Sequence, residues 1–155
     1  MPQSPLGGHY LFKNLSQDQQ AWVSRLSTIQ RHPSGTTLFR QGDKASAMYV
    51  VKCGVVLLNH KTKNGSAAEK VATLGPGAHF GEISLLSSEA RTATALTLEN
   101  VELIMLGYDK LKKLLEDQPI IGARVYKAMA QRLSGRLSAE VDDLTIVEPR
   151  LRVPA

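Results

Sequence analysis

GPGAHFGEISLLSSEARTATA, residues 75–95, interrupts a run of β-like segments with a glycine-rich turn, a short polar loop and a lone arginine. Gly75-Pro76-Gly77 ends a strand in a tight turn, and Gly81 lets the backbone pass close to a bulky group. Glu82 to Leu86 can form a single helical turn whose first N–H groups lack intrahelical partners, which makes it an anion site. Arg91 stands nine positions after Glu82, at the start of the next β-like run, where a guanidinium can contact phosphate oxygens with two prongs. Ionised Glu82 suits a hydroxyl donor such as a ribose 2′-OH. By residue type and spacing alone, a Glu82–Arg91 ion pair closing a loop accounts for the same pattern.

On both sides of this segment the chain has the period of an all-β unit. TTLFRQ, AMYVVK, GVVLLNH, EKVATL, RTATALTL and VELIML are short apolar or β-branched runs. Gly35, Gly42-Asp43, Gly54, Asn64-Gly65, Gly75-Pro76-Gly77 and Glu99-Asn100 punctuate them. Many short strands at even spacing predict an antiparallel roll, sandwich or barrel.

Helical signals bracket the strands. Ser16-Gln17-Asp18-Gln19 fits a capping box, and Trp22, Leu26 and Ile29 follow at helical spacing, predicting a helix that ends before Pro33. After Gly107, YDKLKKLLED reads as a second helix. Pro119 suits the first turn of a third, running to about Leu144. On that helix Tyr126, Ala130, Leu133, Leu137 and Leu144 alternate in steps of four and three, interrupted at Glu140. Such a stripe serves either a homodimer seam or packing on the chain's own roll. The expected organisation is an N-terminal tail over 1–14, one α+β domain over 15–144 and a C-terminal tail over 145–155.

Composition narrows the function. The 155 residues suffice for one core, with a net charge of +5 and a pI near 9.5. That balance suits an anionic ligand or an acidic partner. Lys110, Lys112 and Lys113 form the closest basic cluster, read as a solvated face. Cys53 is the only cysteine, so no internal disulfide forms, and His9, His32, His60 and His79 share no ligand spacing, so no metal site is expected. No apolar run approaches the roughly 20 residues that span a bilayer, and no secretory signal opens the chain. The expectation is a soluble cytoplasmic protein without a membrane segment. No nucleophile–base–orienter set stands out, so no enzyme activity is expected.

The run Phe80-Gly81-Glu82-Ile83-Ser84-Leu85, with Arg91-Thr92-Ala93-Thr94 after a short loop, closely resembles the phosphate-binding cassette of the cyclic-nucleotide-binding domain family. That family includes catabolite activator proteins, kinase regulatory subunits and cyclic-nucleotide-gated channels. Gly35, Gly42-Asp43, Tyr49-Val50-Val51 and Gly54 resemble its glycine framework, and the likeness extends from about Leu15 to Leu144. The resemblance implies an antiparallel β-roll, jelly-roll-like, with a short N-terminal helix and two C-terminal helices. It implies that Glu82 accepts from the ribose 2′-OH and that Arg91 neutralises the cyclic phosphate. Backbone N–H groups of Gly81, Ile83, Ser84 and Thr92 would line phosphate and sugar. Leu58 and Val71 would form an apolar wall beside the base, and Arg132 and Arg136 are positions for the C-terminal cap. The implied ligand is cAMP or cGMP. Thr92 fits either, because a Thr there serves a syn guanine yet also occurs in domains that respond to cAMP, the preferred reading here. The implied mechanism is closure of the third helix over the ligand, read by an effector protein. Since TIVEPRLRVPA leaves no room for a helix-turn-helix, no DNA-binding element is expected in this chain, whether it stands alone or is the sensor portion of a transcription regulator.

Overall fold

A computed structural model describes residues 6–61, 69–81 and 89–144, with 69–70 and 136–144 described by their backbone alone. Helix α1 is Gln17–Leu26. Eight strands are described: β1 Ser27–His32, β2 Thr37–Phe39, β3 Ala47–Cys53, β4 Val56–His60, β5 Glu69–Leu74, β6 His79–Phe80, β7 Thr94–Thr97 and β8 Val101–Gly107. Helices α2, Tyr108–Asp117, and α3, Pro119–Leu144, follow. The strands form two antiparallel four-stranded sheets, ordered β1-β8-β3-β6 and β2-β7-β4-β5. This is the expected roll with its N-terminal helix and two C-terminal helices.

The first sheet is buried on both faces, which is why β3 and β8 are nearly continuous apolar runs. Met48, Val50, Ile104 and Leu106 face the helices, where they meet Leu111, Leu115, Val125 and Met129. The alternate residues Val51, Val101 and Leu103 face the second sheet, packing with Val56, Phe80 and Ala95. The roll interior is therefore walled by one sheet that cannot shift without disturbing the helical layer.

Three sequence expectations change. The helical spacing of Trp22, Leu26 and Ile29 carries past the real helix end: α1 stops at Leu26 and Ser27–His32 pairs with β8 from Ser27↔Leu106 to His32↔Val101. Six ladder pairs and the β-branched Thr28 and Ile29 outweigh a helical period of three residues. Trp22 is exposed, and the buried residue of α1 is Val23. Residues 6–14 are not a tail. Leu6, Leu11 and Phe12 are fully buried in the helical-side core, and Gln20 Nε2 donates to the Phe12 carbonyl at 3.1 Å. Finally, α3 packs on its own chain through Ile121, Val125, Ala128 and Met129, whereas Tyr126 and Ala130 of the expected stripe are exposed. The side chains of Leu137 and Leu144 lie outside the described residues.

Other local expectations hold. Ser16 Oγ accepts from Gln19 N at 3.2 Å and Gln19 Oε1 accepts from Ser16 N at 3.0 Å, closing the capping box. Pro119 opens α3. A Cβ on Gly122 would lie 2.5 Å from the Leu115 carbonyl oxygen, so its bare Cα lets α3 lie against the last turn of α2. No described helix is long and apolar enough to cross a membrane.

Candidate functional site

Arg91 reaches its position through a turn 48 residues upstream. Its N–H donates to the Asp43 carbonyl at 2.7 Å, and its carbonyl accepts from Gly42 N at 2.8 Å. Gly42 adopts φ +91°, which lets the Gly42-Asp43 turn present both groups at once. Lys44 and Ala90 form an isolated bridge beside the clamp. The backbone of Arg91 is held before β7 begins, and its side chain enters the roll.

There Arg91 is only 6% exposed, although charged side chains almost never occupy such a place unpaired. Its Nη2 donates to the Ala47 carbonyl at 2.6 Å and its Nη1 to the Tyr108 hydroxyl at 3.4 Å. Among the described residues, Nε–H has no acceptor and no carboxylate lies within ion-pair distance of the group. Aromatic faces take up part of the charge. The guanidinium carbon stands 4.1 Å from the Phe39 ring centroid and 5.9 Å from those of Tyr49 and Tyr108. Phe39, Tyr49 and Phe80 also pack on one another. Burial pushes the Tyr49 phenol above its ordinary pKa against the opposing pull of Arg91, so this wall stays neutral at physiological pH. A buried cation with an aromatic enclosure and, among the described residues, an unused donor has the chemistry of an anion receptor.

Gly81 meets the guanidinium at the same point. At φ +91°, a Cβ on it would stand 2.7 Å from Arg91 Nη1 and 3.1 Å from the Ala47 carbonyl oxygen. Only a glycine lets the backbone touch the guanidinium here. The Tyr108 hydroxyl donates to the Gly81 carbonyl, tying this backbone to the first residue of α2.

The other sequence candidates fall into separate places. Leu58, on β4, is half-buried and packs against the interior cluster. Val71 lies in β5 where the register shifts: Leu58 pairs with Ala72 and Asn59 with Lys70, leaving Val71 between them and 55% exposed. Thr92 is exposed and precedes β7. Arg132 is exposed on α3, with its guanidinium 4.9 Å from the Tyr10 ring centroid, so it stacks on the N-terminal segment. Arg136 lies on α3, but its side chain, and all of Glu82, Ile83 and Ser84, lie outside the described residues. Sequence reasoning missed Phe39, Tyr49, Tyr108 and the Ala47 carbonyl. The signal available for the first three was aromatic residues on strands and at a helix start, which core packing explains equally well.

Residues 29–118 match the sequence pattern of the cyclic nucleotide-binding domain. The chain belongs to this family. The domain is 37% identical over 148 residues to the cyclic AMP receptor protein of Thermus thermophilus, a match covering 94% of this chain and 67% of that protein. It is 29% identical to a cAMP-dependent protein kinase regulatory subunit of Blastocladiella emersonii, over 84% of this chain and 32% of that one. Among solved structures, the N-terminal domain of a transcriptional regulator from Streptomyces coelicolor A3(2) superposes with a TM-score of 0.78 at 32% identity. That match covers 88% of this chain and 96% of the Streptomyces one. The chain thus spans about two thirds of the Thermus protein and about a third of the kinase subunit.

Proposed function

We propose that this domain is a cAMP receptor whose cyclic phosphate is bound by Arg91. The buried guanidinium, with no carboxylate beside it among the described residues and an unused Nε–H, carries this reading. Enclosing a cation without a counter-ion is costly, and a phosphate oxygen relieves that cost while gaining charge-assisted hydrogen bonds of roughly 1.5–3 kcal/mol each. In this reading Glu82 accepts from the ribose 2′-OH, and N–H groups of Gly81, Ile83, Ser84 and Thr92 complete the cradle. Leu58 and Val71 flank the base, the exposure of Val71 leaving its apolar surface available to a ligand. Arg132 and Arg136 cap from α3. Likeness to the Thermus cyclic AMP receptor protein and the Blastocladiella cAMP-dependent kinase subunit favours cAMP over cGMP.

A thermal-shift series with cAMP, cGMP and 5′-AMP tests the ligand. The melting temperature is expected to rise with concentration for cAMP, less for cGMP and not for the linear monophosphate, since only a tight ligand of the folded state stabilises it by mass action. Equal shifts for cAMP and 5′-AMP would remove the cyclic phosphate from the reading.

Signalling would follow from α3 closing on the base, which requires that the ligand bind the closed arrangement more tightly than the open one. The exposed Tyr126 and Ala130 favour a homodimer seam on this helix, with an effector protein reading the result in the cytoplasm. A Tyr126→Glu/Ala130→Glu double variant is expected to sediment as a monomer where the wild type sediments as a dimer. A second reading, the sensor portion of a catabolite-activator-type regulator, is favoured by the 96% coverage of the Streptomyces regulator domain. Anisotropy titration with duplex DNA at physiological salt, run on the polypeptide as the cell produces it, separates the two: the effector-protein reading expects no cAMP-dependent binding and the regulator reading expects it.

A further inference from the structure

We infer that Tyr108 is a positioning residue of the nucleotide site, one that aims Arg91 instead of touching the ligand. The inference rests on the reading of Arg91 as the phosphate contact. Tyr108 is 4% exposed, so its ring belongs to the core that joins the first sheet to the helices. Its hydroxyl does something the core does not require. It donates its one hydrogen to the Gly81 carbonyl and offers a lone pair to Arg91 Nη1 at 3.4 Å. The two bonds form a directed chain from guanidinium to hydroxyl to peptide carbonyl, in which each dipole strengthens the next.

That chain fixes a distance the site depends on. Gly81 has no side chain, and Arg91 Nη1 lies 2.7 Å from where its Cβ would be, so no side chain of residue 81 fixes how the two meet. The Ala47 carbonyl accepts from Nη2 at 2.6 Å and the Phe39 ring covers one guanidinium face, yet neither can donate a hydrogen bond to the Gly81 carbonyl. The Tyr108 hydroxyl bonds both the arginine and the Gly81 backbone. Its own N–H donates to the Ser46 carbonyl at 2.8 Å, one residue before Ala47, so the acceptor of Nη2 and the aim of Nη1 are set from the same place. Without the hydroxyl, Arg91 keeps its charge and burial but loses its tie to the Gly81 backbone, and a bidentate contact is sensitive to orientation.

The test is Tyr108→Phe, measured by calorimetry with cAMP in the wild-type and Arg91→Lys backgrounds. In the wild-type background the variant is expected to bind cAMP about tenfold more weakly, the effect of one hydrogen bond to a charged group. In the Arg91→Lys background the same change is expected to cost less than about twofold, because the group that the hydroxyl aims is already gone. A merely structural tyrosine would cost the same in both backgrounds, and that result overturns the inference. Unchanged cAMP affinity in Tyr108→Phe, alongside lost affinity in an arginine variant, overturns it while leaving the phosphate reading intact. If the wild type binds no cyclic nucleotide, the phosphate reading fails and this inference falls with it.

Discussion

Replacing Arg91 with methionine is expected to weaken cAMP binding at least a hundredfold while leaving the ligand-free domain about as stable as the wild type. The two effects have different origins. Binding loses a charge-assisted bidentate contact, for which roughly 3 kcal/mol, or more than a hundredfold, is a moderate figure. Folding loses a buried cation that has no counter-ion among the described residues and is only partly compensated by the Ala47 carbonyl and the Phe39 ring. An apolar side chain of similar length fits the enclosure of Phe39, Tyr49 and Tyr108, and replacing buried charge with well-packed apolar atoms is often neutral or stabilising. The opposing term is the Ala47 carbonyl, left without its donor at a cost of about 1–3 kcal/mol. Stability is therefore expected to change by no more than about 1 kcal/mol in either direction. Calorimetry gives the affinity and urea denaturation of the free domain gives the stability. Wild-type affinity in Arg91→Met would remove this residue from the ligand site. Alanine is the poorer probe, because the cavity it leaves lowers stability and affinity together.

Gly54→Ala is expected to be the most damaging single change to the fold. Gly54 joins β3 to β4 at φ +90°, and an added Cβ would lie 2.4 Å from the Asn100 carbonyl oxygen, 2.7 Å from Val101 Cγ1 and 2.9 Å from Val101 Cα. Two of these are backbone atoms at the start of β8, the strand that pairs with both β1 and β3. They cannot withdraw without disturbing the first sheet. Left-handed backbone strain costs about 1–2 kcal/mol and overpacking another 1–3 kcal/mol, so about 3 kcal/mol is expected, enough to unfold a marginal domain. Gly35→Ala is the control. Gly35 has φ +82° but open space around it, so it should cost only the backbone share. Equal losses at the two positions in urea denaturation would show that the approach to Val101 is not tight.

The homodimer and positioning predictions concern surfaces and bonds that sequence periodicity could not separate from core packing. Tyr126, Ala130 and Leu133 make a convincing stripe on paper, yet Ile121, Val125 and Met129 make an equally good one at four-residue steps. Which stripe is buried depends on the angle at which α3 leaves α2, and Gly122 against the Leu115 carbonyl helps to set that angle. Likewise, the spacing of Glu82 and Arg91 was legible, but nothing in it foretold that Arg91 would be enclosed by three aromatic rings from β2, β3 and α2.

The sequence by itself determined what local chemistry decides. The Ser16–Gln19 capping box, Pro119 at a helix start, the positive-φ glycines at 35, 42, 54, 77 and 81 and most strands follow from side chains within a few positions. The cassette pattern also placed the chain in its family. Tertiary structure decided whatever depends on a distant partner. Ser27–His32 became a strand because β8, far along the chain, supplies its ladder. Residues 6–14 joined the core because the helical layer offers Leu6, Leu11 and Phe12 a place to leave water. Arg91 acquired its enclosed environment because the Gly42-Asp43 turn, Ala47, Gly81 and Tyr108 converge on it from separate elements. Local propensities are worth tenths of a kcal/mol per residue, whereas burial and pairing across the fold are worth several times that, so the distant contacts prevail where the two conflict.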